Sequence, residues 1–361
     1  MQEGADRLRF SVIIPLYNKQ RFIARAVSSV LAQDWQDFEV LVIDDGSTDG
    51  GPQVVRDRFR DSRIRLIEQK NAGAGAARNC GLATAQGEAA AFLDADDEWL
   101  PTHLSDLMAA ASMYPEAALQ TTGFRSVYRG DRAVDYSIDS RSPSLIPDYY
   151  RFAVRGHSVH ISSFAVTGSV LAEGPRFSEY APVLEDEEFY ARTALQSPIA
   201  YHPRISSIYH HDDEASIIAT AGVLPGMPLT AQTISRMLAE STVPAGKRES
   251  ASTYLGWIVE QHALAWLAIG KTSEALSLLR EAQLHPIVER YRGRLGYLRL
   301  IAQCTPKQLL SLAIRYGRSR WHLPVAEVLS RLSALTSSSS VARPLVRSNK
   351  NLLTSSASIL R

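Results

Sequence analysis

The sequence predicts an α/β fold: a three-layer domain built on a parallel sheet, followed by an all-helical C-terminal region. Three observations carry that expectation. Short apolar runs of strand length recur through the N-terminal part of the chain. Segments with apolar residues at helical spacing separate them. After about residue 225 the strand-like runs stop. Strands that alternate with helices pair in parallel, because each helix is a crossover returning the chain to the same end of the sheet.

The elements follow in order. Residues 11–15 (SVIIP) are β-branched and apolar, as a buried strand requires, and Tyr17 and Asn18 follow in a turn. Over 20–33, Phe22, Ile23, Ala26, Val27, Val30 and Leu31 repeat at helical spacing. Residues 38–43 (FEVLVI) form a second strand that runs into Asp44-Asp45-Gly46-Ser47-Thr48-Asp49, a polar turn opening a helix through Phe59. Residues 64–68 are a third strand, and the Gly-rich stretch 71–81 (NAGAGAARNCG) precedes or begins a helix. The apolar run 89–93 reads as a fourth strand and delivers three carboxylates, Asp94, Asp96 and Asp97. From Asp97 a helix runs to Tyr114, with Pro101 in its first turn. Short strands follow near 118–124 and 160–167. A second acidic cluster, Glu185-Asp186-Glu187-Glu188, opens another helix, where acids suit the macrodipole. A strand over 200–209 ends in His210 and His211.

Pro225 and Pro228 mark a change of character. The expected organisation is an α/β domain over 1–224, a helical domain over 225–335 and a flexible, basic, Ser-rich tail over 336–361. Residues 250–285 read as two antiparallel helices. The stretch 266–286 (WLAIGKTSEALSLLREAQLHP) resembles one tetratricopeptide helix-turn-helix, although an array needs about three repeats. The tail carries Arg343, Arg347, Lys350 and Arg361 and no acid, a composition that does not build a core.

Composition removes several classes. A net charge of +1 over 361 residues gives no reason to expect nucleic acid as a partner. Cys80 and Cys304 lack a metal-ligand spacing, and two cysteines fit a reducing compartment better than a disulfide scaffold. The first residues, MQEGADRLRF, have no apolar signal region, and no stretch approaches the ~20 apolar residues of a membrane span. A cytoplasmic location follows, at most with peripheral contact at the inner face of the membrane.

The chemistry centres on the turn after the fourth strand. In open parallel sheets, ligands bind beyond the carboxyl ends of the strands. Asp94 and Asp96, two apart, face the same side if the strand continues. Carboxylates crowded there repel unless a cation separates them, and Mg²⁺ or Mn²⁺ with oxygen ligands is the natural partner, bridging to phosphate. Gly73 and Gly75 do not have the spacing of a dinucleotide-binding loop, nor do they follow the first strand, so a NAD site is rejected.

Four stretches together resemble a family 2 glycosyltransferase of the inverting, Rossmann-like GT-A fold: SVIIPLYN at 11–18, VLVIDDGSTDG at 40–50, NAGAGAARNCGLATAQGE at 71–88 and FLDADDEWLP at 92–101. FSEYAPVLEDEEFYAR at 177–192 is similar to that family's acceptor-side segment. The resemblance implies a nucleotide-sugar donor, a UDP-sugar by preference, and a glycan or lipid-linked acceptor in surface polysaccharide or glycolipid synthesis. It places Pro15, Tyr17 and Asn18 at the base, Asp45 at the uracil or ribose, and Arg78 near the nucleotide. It puts Asp94 by the ribose and metal, Asp96 as the direct metal ligand and Asp186 as the general base. His210 and His211 would lie near the diphosphate. Without the resemblance, Tyr17 and Asn18 are turn residues, Arg78 is a surface ion pair and each histidine is a surface residue. A nucleotidyltransferase and a non-catalytic binding module on the same fold remain alternatives. The C-terminal helices are expected to serve oligomerisation ahead of membrane docking.

Overall fold

The computed structural model describes residues 9–128, 130, 132–179, 184–211, 226–268 and 271–283. The basic tail, Cys304 and the end of the tetratricopeptide-like stretch lie outside them. The chain divides into two compact units, the first comprising residues 1–222 and 229–254 and the second residues 223–228 and 255–361.

The first unit is built on β1 (Phe10–Leu16), α1 (Ile23–Leu31), β2 (Phe38–Asp44), α2 (Gly51–Arg58), β3 (Ile64–Glu68), α3 (Ala74–Thr84) and β4 (Ala89–Phe92). Then come β5 (Glu98–Trp99), α4 (His103–Met113), β6 (Leu119–Tyr128), β7 (Arg132–Tyr136), β8 (Ser144–Ile146) and α5 (Tyr149–Val154). A 3-10 turn at Ile161–Ser163, β9 (Phe164–Thr167), α6 (Gly168–Glu173), α7 (Glu185–Thr193), β10 (Ile199–His210) and α8 (Leu229–Ala239) complete it, with a second 3-10 turn at Ala245–Lys247. α9 (Arg248–Ala268) begins in the first unit.

The described strands form one sheet in the order β3-β2-β1-β4-β9-β6-β10-β5, with β7 beside β6 and β8 beside β10. β1, β2, β3 and β4 are parallel, as the apolar runs predict. β1 and β2 are almost wholly buried because helices cover both faces. β9 enters antiparallel between β4 and β6, while β10 runs parallel to β6 with a bulge after His202.

One expectation fails next to the acidic turn. No helix starts at Asp97. Glu98–Trp99 is a short strand antiparallel to β10, and α4 begins at His103, after Pro101. The tertiary pairing wins over the helical spacing because Trp99 buries its ring and donates its indole N–H to the Ser162 carbonyl at 2.6 Å.

Close approach of α3 to the sheet depends on glycine. A Cβ at Gly81 would lie 2.4 Å from Ile13 Cγ2, and one at Gly75 would lie 2.3 Å from the Ser178 carbonyl oxygen. The all-alanine start of β4 likewise leaves room for its neighbours, and Phe92 closes the strand with an aromatic cluster. Phe92 meets Phe177 edge-on at 5.2 Å, and Phe177 stacks on Phe189 of α7 at 3.9 Å. Those contacts tie the end of β4 to the helix that carries the second acidic cluster.

In the second unit, the described helices are the rest of α9 and α10 (Thr272–Gln283). Ala263, Trp266, Ala275, Leu278 and Leu279 are buried there, and the Lys271 ammonium lies 5.1 Å from the Trp266 ring centre.

Candidate active site

The loops after β1, β2 and β4 meet at one end of the parallel strands. Asn18 ties two of them together. Its backbone is left-handed, with φ 53°, and its side-chain oxygen accepts from the Thr48 N–H at 2.8 Å and the Asp49 N–H at 3.3 Å. Tyr17 beside it is 44% exposed, available to a ligand's flat face. Pro15 is paired with Ile43 on the β2 side and lies past the last β4 register position, so its missing N–H costs no strand bond there.

Asp45 is buried and accepts three bonds: from Gln69 Nε2 at 2.8 Å, from the Ala72 N–H at 2.9 Å and from the Gly73 N–H at 2.8 Å. Gly73 has φ +93°, a backbone that glycine adopts without strain, at the start of α3. Two N–H groups of the Gly-rich loop therefore serve the carboxylate of the residue just after β2.

Arg78 on α3 is not a surface residue. It is 3% exposed and forks between Asp94 Oδ1 at 2.7 Å and Glu185 Oε1 at 2.6 Å. Burial alone would lower its pKa, but Asp94, Glu185 and Asp186 outweigh that and hold it raised. One guanidinium thus joins the acidic turn after β4 to the first turn of α7. Burial pushes the Asp94 pKa up, yet Arg78, His160 and Lys19 together hold it below the usual carboxylate range.

Asp96 pairs with Lys19 Nζ at 2.5 Å, and its carbonyl accepts from Arg25. Asp97 is fully buried, accepting from Ser162 Oγ at 2.5 Å and from the His210 N–H at 3.1 Å. Burial, together with the neighbouring acids, raises both pKa values, Asp97 well above the usual range. Burial is the larger cause for both, and Lys19 works against it at Asp96. Asp94, Asp97 and His160 offer ligand atoms that all lie within 4.8 Å of one another. With Asp97 buried and Asp94 and His160 half-buried, two carboxylate oxygens and an imidazole nitrogen converge as a donor set that fits a divalent cation.

Asp186 and Glu187 follow Leu184, whose left-handed φ of 63° is a strained position for a leucine. Asp186 keeps part of its surface open, but burial and then Glu185 push its pKa up to about 7. Its Oδ1 accepts from the Glu187 N–H at 2.8 Å. Glu188 is committed to Arg192 at 2.7 Å. Of the four adjacent acids, Glu185 and Glu188 are thus held by arginines.

The two histidines take separate places. His210 Nε2 lies 3.3 Å from Glu98 Oε2. The His211 ring stacks on Tyr128 at 4.1 Å and contacts Tyr209 at 4.0 Å, and burial lowers its pKa. Tyr209 in turn stacks on His160 at 4.2 Å.

With this geometry in place, comparison with known proteins becomes decisive. Residues 11–168 match the model of glycosyl transferase family 2. Residues 11–168 are a family 2 glycosyltransferase domain. An uncharacterized glycosyltransferase of Nostoc sp. is 45% identical over 103 residues, covering 28% of this chain and 32% of that protein. The uncharacterized glycosyltransferase YibD of Escherichia coli is 41% identical over 104 residues, covering 28% of this chain and 30% of its own length. The match therefore spans less than a third of either relative. The crystal structure of S. aureus TarS in complex with UDP-GlcNAc is similar over 86% of this chain and 93% of its own, with a TM-score of 0.63 at 17% identity. A mannosyltransferase from Pyrobaculum calidifontis, in complex with GDP-Man and Mn²⁺, covers 91% of this chain and 87% of its own with a TM-score of 0.50 at 16% identity. The GT-A architecture of the family 2 domain is thereby shared beyond the matched segment.

Several residues of this site carried no separate role in the sequence. Lys19 sits in the PLYNKQ stretch, and Asp97 adjoins Asp96, so adjacency offered a signal for both. Glu185 and Glu187 were legible only as part of an acid run. His160 and Ser162 lie far from any motif, and nothing in their local sequence marks them.

Proposed function

We propose that the chain is an inverting, metal-dependent glycosyltransferase that moves a sugar from a UDP-sugar to a hydroxyl of a glycan or lipid-linked acceptor, in surface polysaccharide synthesis. The observation that carries this reading is the Arg78 fork. It sets the acidic turn after β4, where Asp94, Asp97 and His160 converge, on one side and Asp186, whose pKa is pushed up to about 7, on the other. The UDP-GlcNAc held by TarS and the GDP-Man and Mn²⁺ held by the Pyrobaculum mannosyltransferase support a nucleotide-sugar donor and a divalent cation.

Mn²⁺ or Mg²⁺ would be held by Asp94, Asp96 and Asp97, with His160 beside them, and would neutralise the diphosphate leaving group. Pro15, Tyr17, Asn18 and Asp45 line the end of the sheet where the base and ribose bind. Asp186 accepts the acceptor hydroxyl's proton as that oxygen bonds to the anomeric carbon. The carbon–oxygen bond to the nucleotide breaks on the opposite face, and its electron pair leaves with UDP. One carboxylate suffices for this direct displacement. A base whose pKa lies near working pH combines an ionised resting state with real proton affinity. His210 and His211 stand beside the cation site through Asp97 and the His160–Tyr209 stack.

The test is UDP release from a panel of UDP-sugars with and without Mn²⁺, followed by stereochemical analysis of the product. Release of UDP with one sugar, dependent on Mn²⁺, is the expected result. Retention of anomeric configuration, or no release with any donor, would overturn the assignment.

A further inference from the structure

The first turn of α7 begins at a strained leucine with no side-chain cap at its N-terminus, so something else must hold it. Residues 245–254 supply two anchors, both within the first unit. Lys247 Nζ donates to the carbonyls just past the end of α7, the C-cap Ala194 at 2.5 Å and Leu195 at 3.3 Å, where a cation also suits the helix dipole. At the other end, the fully buried Tyr254 donates its hydroxyl to Glu187 Oε1 at 3.2 Å. Tyr149 OH lies 3.3 Å from Tyr254 OH. Since Tyr254 gives its hydrogen to Glu187, its oxygen accepts that of Tyr149. The Tyr254 ring is fixed by Tyr150 at 5.0 Å and Tyr149 at 5.6 Å.

Glu187 passes the constraint on. Its side chain takes the tyrosine's bond, and its backbone N–H donates to Asp186 Oδ1 at 2.8 Å. The line Tyr149–Tyr254–Glu187–Asp186 therefore runs from α5 and α9 to the carboxylate that faces Arg78.

We propose that Tyr254, acting through Glu187, is a positioning residue for Asp186, so that the chemistry of the family 2 domain depends on a side chain 86 residues beyond the family segment. This rests on the reading of Asp186 as the general base. A carboxylate that must meet a hydroxyl within hydrogen-bond reach loses rate quickly when its orientation is loosened, by about 10²-fold for a 1 Å displacement.

The test uses the full chain and its UDP-sugar donor. Tyr254→Phe keeps the ring packing and deletes only the hydroxyl. It is expected to lower kcat about 10-fold, with the donor KM and UDP affinity unchanged. Glu187→Gln keeps an acceptor oxygen for Tyr254 and is expected to retain most of the kcat that Glu187→Ala loses. Adding Tyr254→Phe to Glu187→Ala should cost nothing further, because both break one line. A Tyr254→Phe protein with lowered Tm but parental kcat would reduce the tyrosine to a packing role and overturn the proposal. Asp186→Asn, measured in parallel, separates the two readings. If it keeps turnover, the base assignment falls and the positioning proposal with it. If it is crippled while Tyr254→Phe turns over like the parent, the positioning proposal falls alone.

Discussion

Lys19 Nζ lies 2.5 Å from Asp96 Oδ2, so the middle carboxylate of the acidic turn is already neutralised by a side chain from the β1 loop. Asp94 has Arg78, whereas Asp97 accepts from Ser162 and a backbone N–H and has His160 Nδ1 at 3.7 Å. A cation entering this turn would compete with Lys19 for Asp96 and with a proton for Asp97.

From this follows the first prediction. Asp96→Asn should abolish the gain in UDP affinity that Mn²⁺ confers, with the fold retained, because an amide is a weaker ligand for a hard cation than a carboxylate. Calorimetric titration of UDP with and without Mn²⁺ checks it. Unchanged metal dependence in that protein would transfer the ligand role to Asp94 and Asp97.

Asp186→Asn should lower turnover by about 10²-fold or more with little change in UDP affinity, since the proposed general base acts on the acceptor's proton. Steady-state kinetics beside UDP titration separates the two effects. Glu185→Gln is expected to behave differently. It removes a partner of the buried Arg78 and should lower stability along with rate.

The pH dependence has a definite sign. Asp186 must be ionised to accept a proton, so kcat should climb as pH rises through about 7 and then level off. Stability runs the other way for Asp186 and Glu187. Their folded values, both about 7, lie above the ordinary 3.8 and 4.5, so the native state binds protons more tightly than the unfolded chain. Their contribution is complete below the ordinary values and is lost progressively as pH rises towards 7. Melting temperature against pH should therefore be flatter in Glu187→Gln than in the parent.

Gly81→Ala tests the packing that sets α3 against β1. The new methyl would lie 2.4 Å from Ile13 Cγ2 in a core without slack. Overpacking of this kind costs about 1–3 kcal/mol. Urea unfolding should show a lower midpoint at unchanged slope.

Much of the fold was legible because its parallel strands are buried on both faces and so read as unbroken apolar runs: SVIIP, FEVLVI and the alanine-rich lead into Phe92. The acidic turn was legible because its acids directly follow a buried strand, at the end where such a sheet presents its ligands, whereas Asp186 was singled out only through the family resemblance. What escaped the sequence depends on distant pairing. Glu98–Trp99 became a strand because β10 lies beside it. Arg78 is buried because acids from two separate segments converge on it. Tyr254, one of several tyrosines in the chain, shows no local pattern that sets it apart from core filler.

Anyone recombining this protein with its relatives must decide where to cut. The matched family segment ends at residue 168, yet the helix bearing Asp186 is fastened at one end by Lys247 and at the other by Tyr254. A chimera joined at the segment's edge would leave out the helix bearing Asp186, and one joined at the proline boundary near 225 would leave out the Lys247 and Tyr254 that fasten it. A graft meant to keep these anchors has to carry the chain past Tyr254 and so through the helix in which it sits, α9 (Arg248–Ala268).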